Sequence, residues 1–283
     1  MHEKQGLFCD YVQIVTVTAL KIYFYFQINV MRGHMAKQIT SIFKRYEKKY
    51  LISGEQYDAL TQMTADLFSP DEFGRSVIMN IYFDTPNYMI IRRSLEKPVY
   101  KEKLRLRTYG VPRDDSSAFV EIKKKFKKVV YKRRVKMAYA EAYDYLINSA
   151  PPPQTTQITN EIDWFMKYYG EVRPAMVITY ERMAMFSKEN KDLRITYDNN
   201  ILWRKEDLDL RSGAYGQPLL PEGYYLMEIK IPGAMPVWLA RMLDELKIYP
   251  TSFSKYGMAY ITDQNMKKEF PEAFPEVLLG SDD

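Results

Sequence analysis

Residues 100–110 read YKEKLRLRTYG, a strand-like segment with a cation at every second position. Side chains alternate faces along a strand, so Lys101, Lys103, Arg105 and Arg107 share one face. Such a row either meets water or lines a cavity that holds an anion. Arginine presents a planar, permanently charged fork suited to phosphate oxygens, and lysine adds a compact point charge. The alternation recurs elsewhere: Glu47 with Lys49, then Glu121, Lys123, Lys125 and Lys127, then Lys132, Arg134 and Lys136. Tyr180 and Arg182 stand in TYERMAMF, Arg194 in DLRITYD, and Glu228 with Lys230 in YYLMEIKI. For any one strand a solvated face explains this, since antiparallel sheets often expose one side. Repetition through successive strands favours inward faces and a basic channel that holds water and a polyanion. Carboxylates in such a channel suit a hard divalent cation, which takes oxygen ligands and bridges phosphates.

The elements that must carry these residues follow from periodicity and punctuation. Strands are predicted over 41–52, 77–84, 100–110, 118–128, 129–137, 175–186, 193–197 and 224–231. Helices are predicted over 54–68, 88–95, 140–149, 158–170 and 237–246, and again near 254–261. Ser53 and Gln56 have the spacing of a capping box before the first helix, and Asp84 before Thr85-Pro86 reads as a capping or turn residue. The expectation is an α+β chain built on an eight-stranded antiparallel sheet or barrel with flanking helices; closure would remove its edge strands.

Composition sets the outer limits. The chain has 283 residues, 46% hydrophobic and 14% aromatic, with a net charge of only +5. That supports a sizeable core and excludes a disordered chain. The one cysteine, Cys9, excludes an internal disulfide framework and fits a reducing compartment, so a cytoplasmic location is expected. His2 and His34 stand apart, and no His/Cys cluster offers a zinc site. No GxxxxGK loop is present to cradle a nucleotide. Residues 7–30 are apolar but interrupted by Asp10, Gln13, Lys21, Gln27 and Asn29. A membrane anchor there competes with an accessory segment preceding a start at Met31 or Met35. Lys124, Lys127, Lys128 and Lys136 read as solvated face charges.

RYEKKYLI, NIYFDTP, KLRLRTYG, VEIKKK, YKRRV, TYERMAM, LRITYD, MEIKI and SFSKYGMAY, in that order, resemble the VTC domain of the triphosphate tunnel metalloenzyme (CYTH-like) superfamily. The resemblance covers about residues 39–263. It implies a tunnel domain over 35–265, an N-terminal extension over 1–34 and a tail over 266–283. It also implies an eight-stranded barrel, a Mn²⁺ or Mg²⁺ cofactor, and phosphoryl transfer from ATP or another nucleoside triphosphate to polyphosphate. Under it, Lys49, Arg105, Arg107 and Glu228 are catalytic, with Glu228 and Glu47 toward the metal. Lys123, Lys132, Arg134, Tyr180, Arg182, Arg194, Ser254 and Lys255 bind substrate.

Two positions depart from the superfamily pattern: Arg45 replaces the first glutamate of ExExK, and Lys125 stands where eukaryotic members have histidine. Ser252 occupies the place of a further lysine in a polymerase relative. Three classes stay open: a polyphosphate polymerase, a triphosphatase acting on tripolyphosphate or nucleotide, and a non-catalytic polyphosphate-binding module. A nucleic-acid binder would instead set exposed Tyr109 and Tyr131 among outward cations; no nucleic acid is expected. Membrane association through a partner protein is the alternative to a free cytoplasmic chain, and the oligomeric state is left open.

Overall fold

The computed structural model describes residues 45–263, with Lys128 omitted. Cys9, His2, His34, the apolar run at 7–30 and the first residues of the predicted 41–52 strand lie outside the described residues. The elements run β1 (Arg45–Ile52), α1 (Gly54–Met63), β2 (Phe68–Asp84), α2 (Met89–Leu95), β3 (Tyr100–Tyr109), β4 (Ser117–Phe126) and β5 (Val129–Ala138). They continue with α3 (Tyr139–Ile147), α4 (Gln157–Tyr169), β6 (Arg173–Ser187), β7 (Arg194–Arg204), β8 (Gln217–Pro218) and β9 (Tyr225–Pro232). The last are α5 (Val237–Glu245), β10 (Pro250–Thr251) and α6 (Lys255–Thr262).

One antiparallel sheet holds all strands in the order β10-β1-β9-β7-β6-β2-β3-β4-β5, with β8 on β7. Eight strands are long; β8 and β10 are two-residue additions. Among the described residues no ladder joins β5 to β1, so hydrogen bonds do not close the sheet. Curvature does the work instead. In a flat sheet, β4 and β1 would lie ~29 Å apart at about 4.8 Å per strand. Yet Lys49 on β1 donates to the Phe253 carbonyl and Lys103 on β3, the neighbour of β4, to Ser254 Oγ, each at 2.9 Å. The sheet therefore curls into a trough whose two flanks face each other. Register shifts between Pro70 and Arg75 in β2, and between Thr179 and Glu181 in β6, supply bends of the kind that bulges produce.

Three apolar clusters fix this shape. Outside, α3 and α4 cover β2–β5 around Ile81, Leu106 and Phe165. Helices α1 and α5 cover β1, β7 and β9 around Ile52, Leu60 and Leu239. Inside, α6 fills one end of the trough with Tyr256 and Tyr260 against Tyr82, Ile178 and Trp203. Tyr256 stacks on Tyr82 at 4.7 Å and donates to Asp84. Asp84 also accepts from the backbone N–H of Thr85, Ile90 and Ile91, which is the capping role expected of it. The Ser53–Gln56 capping box is present in both directions.

The boundaries that differ have tertiary causes. Helix α1 stops at Met63, not Phe68, because Phe68 pairs with Ser187 and begins β2. Strand β7 continues past Tyr197 to Arg204, since Ile201 and Trp203 bury in the inner cluster. No helix among the described residues is long and apolar enough to cross a membrane.

Candidate active site

Beyond the apolar plug, the concave face carries the charges. Arg105 and Arg107 of β3 lie opposite Glu121 and Phe119 of β4, and Glu121 lies opposite Arg134 of β5. Glu121 is 1% exposed and receives Arg105 at 2.6 Å and Lys132 at 2.8 Å. Burial raises its pKa, but Arg105, Arg107 and Lys132 outweigh that and hold it at about 2. The carboxylate stays charged and fixes the three cations. Arg105 also donates to the Tyr82 hydroxyl at 3.2 Å. Arg107 donates to Asn80 Oδ1 at 2.9 Å and to the Tyr180 hydroxyl at 3.1 Å. A guanidinium held on several sides keeps its fork pre-oriented.

A second group centres on Asp198 of β7, which is fully buried. Arg182 grips it in bidentate fashion at 2.6 and 2.7 Å, and Lys255, the first residue of α6, donates to the same carboxylate. Burial raises the Asp198 pKa, and the fields of Lys255 and Arg182 bring it below the ordinary value. Tyr180 sits between the two groups. Burial pushes its hydroxyl up, but Arg107, Arg182 and Lys255 together lower it to about 8.

The third group joins β1 and β9. Lys49 and Glu228 are directly opposed in register, and their charges lie 3.2 Å apart. Lys49 also lies 3.9 Å from Glu47 and donates to the Phe253 carbonyl at 2.9 Å. Burial raises the Glu228 pKa, but Lys49, Lys255, Arg182 and Lys230 drive it far below the ordinary carboxylate range. Among the described residues no three His, Cys, Asp or Glu side chains gather as a metal cage. Glu228 and Glu47, both ion-paired with Lys49, are the carboxylates of this group available as oxygen ligands. Mg²⁺ is commonly held by one or two carboxylates, with phosphate and water oxygens completing its shell.

Between these groups, Lys101, Lys103, Lys123 and Lys125 form no ion pair with an acid among the described residues. Lys103 lies opposite Lys123, and Lys101 opposite Lys125. Like charges directly opposed across a ladder are destabilising. Lys103 donates to Ser254 Oγ at 2.9 Å. Burial, then Lys101, Lys49, Lys123 and Arg105, lower its pKa to about 7. Lys123 keeps exposed surface, so water reaches this stretch of wall. These two opposed lysine rungs concentrate positive charge that an anion would offset.

Most of the residues singled out from sequence thus meet: Lys49, Glu47, Arg105, Arg107, Lys123, Lys132, Tyr180, Arg182, Glu228, Ser254 and Lys255. Two stand apart. Arg134 is exposed and lies over the Phe119 ring at 4.9 Å. Arg194 shares the face of Asp198 but is exposed at the start of β7, donating to the Lys191 carbonyl. Sequence reasoning passed over Asn80, Tyr82 and Asp198, and read Lys103 and Glu121 as members of the charged rows without a site role. Period two was the available signal: Asn80 alternates with Tyr82 in an apolar strand, and Asp198 with Arg194. An open groove along Tyr46, Lys48, Ile231 and Met235 takes in none of these site charges.

Comparison with solved structures shows similarity to a candidate adenylate cyclase from Bacillus halodurans, 15% identical, TM-score 0.48, covering 74% of this chain and 92% of that one. A candidate adenylyl cyclase from Hippeastrum with a dominant triphosphatase activity is 14% identical, TM-score 0.43, covering 74% and 92%. The Mimivirus capping enzyme triphosphatase is 12% identical, TM-score 0.31, covering 71% and 88%. A search of curated proteins found no match. The VTC domain family matches residues 44–262, a span that contains every site residue described above. The chain belongs to the VTC domain family.

Proposed function

We propose that the chain catalyses metal-dependent phosphoryl transfer from a nucleoside triphosphate to a growing inorganic polyphosphate chain, held in the charged trough. The observation that carries this is the set of cations from β1, β3, β4, β5, β6 and α6 on one concave face, with Glu228 held among Lys49, Lys255 and Arg182. Phosphoryl transfer asks little covalent chemistry of a protein; it asks for alignment and for neutralisation of charge on the phosphoryl oxygens. Arg105 and Arg107, fixed by Glu121, Asn80 and Tyr180, are donors oriented before substrate arrives. Lys49, Lys103 and Lys123 supply charge along the extended anion. Glu228 and Glu47 would hold Mn²⁺ or Mg²⁺, which when bound would act as a Lewis acid on phosphate oxygens. Tyr180, between Arg107 and Arg182, would orient the acceptor phosphate; its lowered pKa supports this reading.

Incubation with ATP and Mn²⁺ tests the reading: polymer resolved on a gel is expected. Free phosphate alone would make the chain a triphosphatase. Neither product would leave a binding module. Binding itself has a separate readout. Tripolyphosphate at about a hundred times its Kd contributes roughly 2.7 kcal/mol to the folded state. For a domain of this size that corresponds to a Tm rise of about 5–10 °C. Arg105→Ala and Arg107→Ala should each remove most of the shift.

Lys103 gives a pH test. A bound polyanion favours its charged form, so its contribution to affinity is full below pH 7 and falls as pH rises through its free-state pKa of about 7. The ratio of wild-type to Lys103→Met affinity for tripolyphosphate should therefore drop between pH 6 and pH 8.5, by calorimetric titration. Taking a ratio cancels the ligand's own titration. A flat ratio would show that Lys103 does not meet the anion.

A further inference from the structure

The convex face at the β4–β5 turn carries a feature that the phosphate chemistry does not use. Tyr100, Phe126 and Val129 are directly opposed across β3, β4 and β5, so they form one outward row. Tyr131 follows on the same face of β5, next to Lys124. Glu102 accepts hydrogen bonds from both Tyr100 and Tyr169, tying this end of β3 to the end of α4. There Trp164 and Tyr168 stack at 4.9 Å. All six large side chains of this patch are exposed, from 41% at Tyr100 to 55% at Tyr168.

Single exposed apolar residues need no explanation, but a contiguous aromatic patch does. Here the surroundings are basic. Lys127 in the turn reaches over the Phe126 ring at 5.5 Å, and Lys167 lies between Trp164 and Tyr168 on α4; both are exposed. Of the nearby acids, Glu161 is neutralised by Lys124 and Arg133. Asp163 accepts from the Tyr145 hydroxyl and keeps its charge, so the excess of positive charge rests on Lys127 and Lys167. Tryptophan and tyrosine suit the boundary between hydrocarbon and water because one end of each ring is polar. Exposed lysines beside them are attracted to anionic head groups.

We infer that this convex patch seats the protein on an anionic lipid bilayer, with Phe126, Val129 and Tyr131 at the apolar boundary and Lys127 and Lys167 against the head groups. The charge complementarity selects a negatively charged surface, and the turn carries the patch at a strand end. The proposal is independent of the phosphoryl-transfer reading.

Co-sedimentation with phosphatidylcholine vesicles, with and without phosphatidylserine, tests it. The protein should pellet with the mixed vesicles and much less with phosphatidylcholine alone, and Trp emission should shift blue. Phe126→Ser with Val129→Ser should weaken binding about tenfold or more, given the apolar area withdrawn from the membrane. Lys127→Glu with Lys167→Glu should abolish the phosphatidylserine preference. Both variants should unfold in one cooperative transition within a few degrees of the wild-type Tm, which shows that they fold. Saturating tripolyphosphate separates the two sources of phosphate: binding that persists supports the patch. Displacement by tripolyphosphate would mean that the trough reads the head groups, and would overturn the proposal. So would wild-type binding by both variants, or no pelleting with either vesicle.

Discussion

Glu228→Ala should lower kcat for phosphoryl transfer by about 10²- to 10³-fold, the scale seen when one preorganised electrostatic stabiliser is lost. Glu228 is 8% exposed and surrounded by Lys49, Lys255, Arg182 and Lys230, which hold it charged well below neutral pH. It is the best-placed hard anionic donor on this flank. Glu47 remains, at 3.9 Å from Lys49, but its side chain is 38% exposed. A single solvated carboxylate is a weak holder of a divalent cation. The variant should therefore bind tripolyphosphate without metal at least as tightly as wild type, because the trough has lost a negative charge. It should no longer show a Mn²⁺-dependent gain in affinity. Glu228→Gln keeps the shape and separates charge from packing: it should fail as alanine does. Activity within a few-fold of wild type in either variant would remove Glu228 from the mechanism. Equal loss of metal-free binding would instead make it a structural anchor for Lys49.

The division between what sequence shows and what it hides follows the range of the forces involved. Strand faces are local, so the row ending in Arg105 and Arg107 was legible as soon as β3 was read with period two. The Ser53–Gln56 cap is equally local and was equally legible. Where α1 stops is not local: Phe68 leaves the helical register because it pairs with Ser187, more than a hundred residues on. Nor is the fate of Lys103, whose place on the right face was visible. Its partner Ser254 comes from the other end of the domain, on the helix that plugs the trough. The acids show the same limit in another form. Read one strand at a time, Glu121 is one charge in an alternating row, and Asp198 one polar residue after a tyrosine. Each becomes a hub when curvature and a bulge bring two or three cations onto it.

Asp198→Ala should be the most destabilising single change in the site, at about 3–5 kcal/mol, because removing one member of a buried ion-pair cluster leaves the others uncompensated. Arg182 would lose both of its 2.6 and 2.7 Å contacts, and Lys255 its carboxylate. Lys255 is 8% exposed and lies 4.4 Å from the Tyr180 ring, so neither cation can turn fully to water. In thermal unfolding the empty variant should melt about 10 °C or more below wild type. Asp198→Asn keeps one acceptor oxygen but turns an amide N–H toward donors, and should fall between them. The informative measurement is what a polyanion then does. Phosphate oxygens can supply the charge that Asp198 supplied, so tripolyphosphate should raise the Tm of Asp198→Ala by more than it raises that of wild type. A ligand that occupies the trough without touching Arg182 and Lys255 would stabilise both proteins equally, and this outcome would remove those two residues from the substrate path. If the empty variant melted within a degree or two of wild type, the cations would already be neutralised by water and mobile ions. The carboxylate would then not be their fixed partner. A larger shift in the variant would instead identify Asp198 as a counter-ion that keeps the trough folded while it is empty, and whose role the substrate takes over on binding.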